Sequence, residues 1–154
     1  SSFKTSIKNS TSFFEKLPYI ASTECFICCH AAPPREEVTK EELINITDHP
    51  KLIQDITSKR LSTGKHNRSR GYSKGDVKRL RKTLKVHKKT PLIVGHTPMD
   101  PFGPVWQNVG NVKHHHILYS AHQNGSAAFI RSGTDMIPLT FPPESLLDAI
   151  NKIT

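Results

Sequence analysis

The apolar positions of this chain fall in short blocks, not long stripes, and the blocks alternate between two periods. Residues 24–29, ending in Phe26-Ile27-Cys28-Cys29, form a brief apolar run that predicts a strand, and Pro91-Leu92-Ile93-Val94 predicts a second. Between them the spacing changes to threes and fours. Thr39, with Glu42 three residues on, predicts a capping box opening a helix whose apolar side is Leu43, Ile44 and Ile46. Asp48 as N-cap and Pro50 in the first turn predict a second helix, carrying Leu52, Ile53 and Ile56. A loop is expected from Ser58 to Ser73, then a helix capped by Asp76, with Val77, Leu80 and Leu84 as a thin packed edge.

Beyond the second strand, turn signals from Pro98 to Pro104 predict a loop reaching Gly110. It carries Trp106, which suits a lid residue or, more commonly for a lone tryptophan, a side chain packed on the core. His114-His115-His116 reads as the start of a strand without a metal role, because successive strand residues point to opposite faces. Residues 116–120 and 126–131 are expected to form a hairpin about Asn124-Gly125, followed by a short strand over 135–139. Pro142-Pro143-Glu144-Ser145 then opens a final helix with Leu146, Leu147 and Ile150 as its apolar side. Residues 1–12 are expected to lie loose or against a neighbour, and Ser12–Leu17 to form a helical turn ending at Pro18. Strands interspersed with helices predict an α/β fold.

What ends the first two strands gives the chain its candidate chemistry. The first runs into His30-Ala31-Ala32-Pro33-Pro34, the second into Gly95-His96-Thr97-Pro98. Ligands in open α/β sheets sit outside the carboxyl ends of strands. Either histidine by itself also reads as a strand cap bonded to a nearby carbonyl. Two strands with the same ending, if neighbours, would bring His30 and His96 to one rim.

Several stretches, in order, resemble the calcineurin-like metallophosphoesterases of the phosphoprotein-phosphatase type. They are Leu17-Pro18, Cys29-His30-Ala31-Ala32-Pro33, Arg70-Gly71-Tyr72, Gly95-His96-Thr97-Pro98, and Ile117-Leu118-Tyr119-Ser120-Ala121 with Asn124 and Ala127-Ala128. The likeness spans roughly residues 13 to 140 and covers the C-terminal half of that fold. The motifs of the family's first half (Asp-Xaa-His, Gly-Asp-Xaa-Xaa-Asp-Arg and Gly-Asn-His) have no counterpart in this sequence. Ala32 stands where the family usually has glycine.

The resemblance implies part of a mixed β-sandwich flanked by helices, in one domain, with 35–60 as a helical insertion beside the site. It implies two divalent ions (Mn, Fe or Zn), with His30 and His96 completing one shell. It implies Arg70 as the phosphate grip, and His122 and Asn124 as possible substrate contacts from the closing loop. Those residue types suit the chemistry. Imidazole nitrogens bind such ions, and a guanidinium holds two phosphate oxygens in a fork. Catalysis would require the other half, on a longer parent or a partner chain, so the 154-residue chain alone is expected to be inactive.

Charge adds a second candidate. Residues 57–90 hold 13 of the 22 basic residues against one acid, Asp76. The segment is thus strongly cationic and the remainder slightly acidic, which suits a nucleic acid, a phosphorylated substrate or an acidic partner. A basic binding module without catalysis is therefore the alternative function, and a solvated charged face the plainer reading. The one aromatic in that segment, Tyr72, is too few for a base-stacking platform. An apolar share of 35% is low for a self-sufficient globule, as expected if a partner layer completes it. No apolar run approaches 18 residues, so no membrane partner is expected. Cys25, Cys28 and Cys29, odd in number and in one block, suit buried thiols in a reducing compartment, hence the cytoplasm.

Overall fold

A computed structural model of the chain describes residues 16–62, 71–98, 105–119, 125–130, 136–141 and 145–152. Its strands are β1 (Ile20–Ser22), β2 (Ile27–Cys29), β3 (Leu92–Val94), β4 (Val105–Trp106), β5 (His115–Leu118), β6 (Gly125–Ile130) and β7 (Met136–Phe141). The helices are α1 (Lys40–Ile44), α2 (Pro50–Ser58), α3 (Lys74–Thr83) and α4 (Leu146–Asn151). The fold is mixed α/β. Five strands form one mixed sheet in the order β1-β2-β3-β5-β4, and β6 pairs with β7 in a second, two-stranded sheet. Among the described residues, no helix is long and apolar enough to cross a membrane.

The centre of the large sheet is parallel. Ile27 pairs with Leu92 and Cys29 with Val94, while Leu92 pairs in turn with His115 and Val94 with Ile117. That register puts Ile27, Leu92 and His115 in one row, and Cys29, Val94 and Ile117 in another on the same face. Ile56, Tyr72, Val77 and Leu80, from α2, α3 and the approach to α3, join those rows in the main core. The intervening row, Cys28, Ile93 and His116, lies on the opposite face. There Ile93 and His116 are buried but Cys28 is exposed, so the second face is covered only in part.

The helices start largely where local chemistry puts them. Thr39 and Glu42 make the expected capping box, the Thr39 hydroxyl accepting from the Glu42 amide at 3.1 Å. Two caps differ from expectation. His49, not Asp48, is the N-cap of α2, because Asp48 is taken up in a short 3-10 turn over Ile46–Asp48, and Pro50 opens the helix. Ser73, not Asp76, is the N-cap of α3. Asp76 occupies N3 and its carboxylate reaches back to the Ser73 amide at 2.6 Å. Ile44 is 69% exposed and Leu147 66%, so neither joins the packed face expected of it. Each belongs to a helix of five or six residues, too short to bury a full apolar stripe.

The first strand is shorter than 24–29, and residues 20–22, not read as a strand from sequence, pair with it antiparallel. The expected hairpin between 116–120 and 126–131 is not formed. Both edges of β5 are occupied, by β3 and by β4, so β6 pairs with β7 instead. β4 is itself the middle of the expected loop, and places Trp106 half-buried against the core. Nor are all three cysteines buried: Cys29 is, Cys25 is half-buried and Cys28 exposed.

Candidate functional site

Because β2 and β3 are parallel and in register, the chain leaves both strands at the same edge of the sheet. The two exits are bonded directly: the Gly95 amide donates to the His30 carbonyl at 2.8 Å. An added Cβ at Gly95 would stand 3.3 Å from that carbonyl and 3.6 Å from the Leu118 carbonyl, so glycine permits the close approach. After His30 the chain must pass under α2. The amides of Ala31 and Ala32 donate to the Ile56 carbonyl at 2.8 and 3.2 Å, and both residues are fully buried. Small side chains are needed there, and alanine satisfies that need as glycine would.

His30 and His96, 66 positions apart in sequence, thereby come together. Their ring centroids are 5.3 Å apart and tilted by 56°. Both side chains are exposed at the rim. His96 has a left-handed backbone, φ 65°. For a residue other than glycine this costs about 1–2 kcal/mol, so the fold holds the residue in a conformation it would not choose. Partial loss of hydration, then the neighbouring His30 ring and the Arg60 guanidinium, hold the His96 pKa below the ordinary 6.5. The imidazole is therefore neutral at pH 7, the form that binds metal.

Arg60 went unmarked in the sequence because it is one cation among many in residues 57–90. The fold distinguishes it by carrying the end of α2 back toward the histidine edge. Its carbonyl accepts from the Tyr72 amide at 3.0 Å, and the Ser62 amide donates to the Tyr72 carbonyl at 2.9 Å. Tyr72 is completely buried, and its hydroxyl lies 2.9 Å from Nε2 of buried His115. Nδ1 of that ring lies 3.2 Å from the Val109 carbonyl. A carbonyl only accepts, so Nδ1 carries the proton and Nε2 accepts from Tyr72. His115 is thus a core polar link between sheet and loop.

Two imidazoles bound to one ion at about 2.0–2.1 Å hold their ring centres about 5 Å apart, which the His30–His96 pair already does. They amount to half a four-coordinate shell. Among the described residues no group of three or more His, Cys, Asp or Glu side chains is arranged to hold a metal ion. The pair therefore fits as part of a metal site, not as a whole one. Arg70, His122 and Asn124 lie outside the described residues, although Tyr72, two positions after Arg70, is anchored as above.

The chain matches no family model and no curated protein. What it can do rests on its own residues.

Proposed function

We propose that the chain supplies part of the two-metal centre of a phosphoric ester hydrolase, a phosphatase acting on a phosphoprotein or small phosphoester. In this reading the five-stranded sheet is one layer of a calcineurin-like sandwich. The reading is carried by one observation: two strands with matching histidine endings lie side by side and bring their rings within 5.3 Å. His30 and His96 would hold one of two divalent ions, Mn, Fe or Zn, the remaining ligands coming from another half of the protein or a partner chain. Such ions, when bound, acidify water and clamp phosphoryl oxygens. This chain's own contribution is two imidazoles at fixed spacing, and a cation, Arg60, to draw an anionic ester toward them. By the resemblance, Arg70 grips the phosphate, with His122 and Asn124 in reach of the substrate. Three free thiols, that of Cys28 exposed, suit a reducing compartment such as the cytoplasm.

The test is metal content and aryl-phosphate hydrolysis of the complete protein, with His30→Ala and His96→Ala compared singly. Both side chains are exposed, so the substitutions leave the core intact, which circular dichroism checks. Each is expected to weaken metal retention by about tenfold or more, the scale seen even for outer-shell changes. Metal content and turnover unchanged in both variants would defeat the reading. The isolated 154-residue chain is expected to show no metal-dependent hydrolysis, and turnover by it would contradict the division of ligands.

A further inference from the structure

A second site lies at the other end of the same strands. The Arg81 guanidinium spans the segments that lead into β3 and β5. Its Nε donates to the Thr90 carbonyl at 3.0 Å, and its Nη2 to the carbonyls of Lys113 and His114 at 3.3 and 2.7 Å. Thr90 precedes β3 and His114 precedes β5, so this is the amino-terminal edge of the parallel pair, about 10 Å of strand from the histidine edge. A cleft of about 1110 Å³ opens there.

One wall of the cleft is α3, whose exposed Lys74, Lys78 and Lys82 follow one another at four-residue spacing on one side of the helix. The facing wall carries Lys88, Lys89 and Lys113, also exposed. Arg81 is only 7% exposed and offers its charge from below. Among the described residues no acidic side chain lines the cleft, and none forms an ion pair with these lysines. The sequence explains why. Asp76, the nearest acid, is paired with Arg79 and Ser73, and from Val77 to Thr134 the only acidic residue is Asp100. Among the described residues, then, a buried guanidinium facing carbonyls lies beneath six ammonium groups with no acidic partner, a field that lacks its anion.

The shape narrows the choice of anion. Successive lysines on the helix row are about 6 Å apart along its axis, which matches successive phosphates along a nucleic-acid strand. Among the described residues the apolar lining is Val86 and Val112 and no Phe, Tyr or Trp lines the cleft, which leaves no row of stacking platforms for unstacked bases. We infer that this cleft takes the phosphate backbone of a nucleic-acid duplex, without reading its sequence. The inference is independent of the phosphatase reading, since it uses neither histidine of that site.

The test is binding of the full chain to a short RNA duplex and to a DNA duplex of equal length, titrated with salt. Expected is affinity for one or both, falling steeply as salt rises. Reversing Lys78 and Lys82 together (Lys78→Glu with Lys82→Glu) should weaken binding about tenfold and lower the salt slope by about two. Lys16→Glu with Lys40→Glu, the same change in net charge at exposed positions off the cleft, should do neither. RNA preferred over DNA, or the reverse, identifies which duplex the cleft serves. No duplex binding at low salt, equal weakening by the control pair, or polyglutamate binding as tightly as the duplex each overturns the inference.

Discussion

Gly71→Ala is expected to destabilise the fold by about 2–3 kcal/mol, the upper part of the range for forcing one extra methyl into a packed site. The added Cβ would lie 2.5 Å from the Arg60 carbonyl oxygen, 3.0 Å from the Ser62 amide and 3.1 Å from the Ser62 Cβ. Two of these three obstacles are backbone, and both are already engaged. The Arg60 carbonyl accepts from Tyr72 and the Ser62 amide donates to it, the two bonds that join Leu61 to Tyr72 in a parallel bridge. Relieving the clash means parting that bridge and shifting Tyr72, a wholly buried ring bonded to His115. On the far side, Gly110 has φ 65°, and a Cβ there would meet Leu61 Cδ2 at 2.5 Å, so the segment has no room to retreat. A fall in melting temperature of about 5–10 °C is the readout. Gly75→Ala is the control: its nearest neighbours, at 3.4 and 3.8 Å, are side-chain atoms, and it lies in the first turn of α3. That substitution should stabilise by about 0.5 kcal/mol through helix propensity. A Gly71→Ala variant as stable as the parent would mean that the bridge contributes nothing.

Much of this architecture was legible because it is locally determined. The Thr39–Glu42 box, the strand at 92–94 and the packed edge of α3 each follow from residues within a turn or two of one another. The pairing of His30 with His96 was legible for a different reason: two segments repeat one design, and parallel neighbours carry equal endings to one edge. What local patterning missed was competition between distant segments. The Asn124-Gly125 turn signal was a sound reason to expect β5 and β6 in a hairpin, but only the sheet shows that β3 and β4 claim both edges of β5 first. Arg60 and Arg81 were equally hidden. Each is one of 13 basic residues in residues 57–90, and only the path of the chain sets one beside a histidine pair and buries the other beneath a cleft.

Acid should unfold this chain through two histidines that have no part in either proposed site. Burial pushes His115 from 6.5 down to about 4, only partly offset by its bond to the Val109 carbonyl. Burial first, then the neighbouring His115 and His114 rings, bring His116 down to about 4 as well. Both are neutral in the fold, whereas in the unfolded chain they take up protons at ordinary histidine pH. Between about pH 6.5 and 4 the unfolded state therefore binds more protons, and stability falls as the medium is acidified through that window. At 1.36 kcal/mol per pH unit, His115 alone removes about 3 kcal/mol by pH 4, a large part of the 5–15 kcal/mol typical of a domain. The carboxylates act lower down: Glu36, bonded to Lys51, and Glu42, bonded to the Thr39 amide, are held below 4.5 and lose their contribution only beneath it. Urea unfolding followed from pH 8 to pH 4 should show the loss confined to the histidine window. His116→Leu should shrink it and also stabilise the fold at neutral pH by about 1 kcal/mol, because Nδ1 of His116 is buried without a hydrogen-bond partner among the described residues. His115→Phe should shrink the loss too, but at the cost of about 1–3 kcal/mol at neutral pH, since it leaves the buried Tyr72 hydroxyl unpaired. Adding Tyr72→Phe should restore most of that stability, whereas a double variant no better than the single would show that the hydroxyl had found another partner. A stability profile flat between pH 6.5 and 4 in the parent chain would place these two rings in water, not in the sheet.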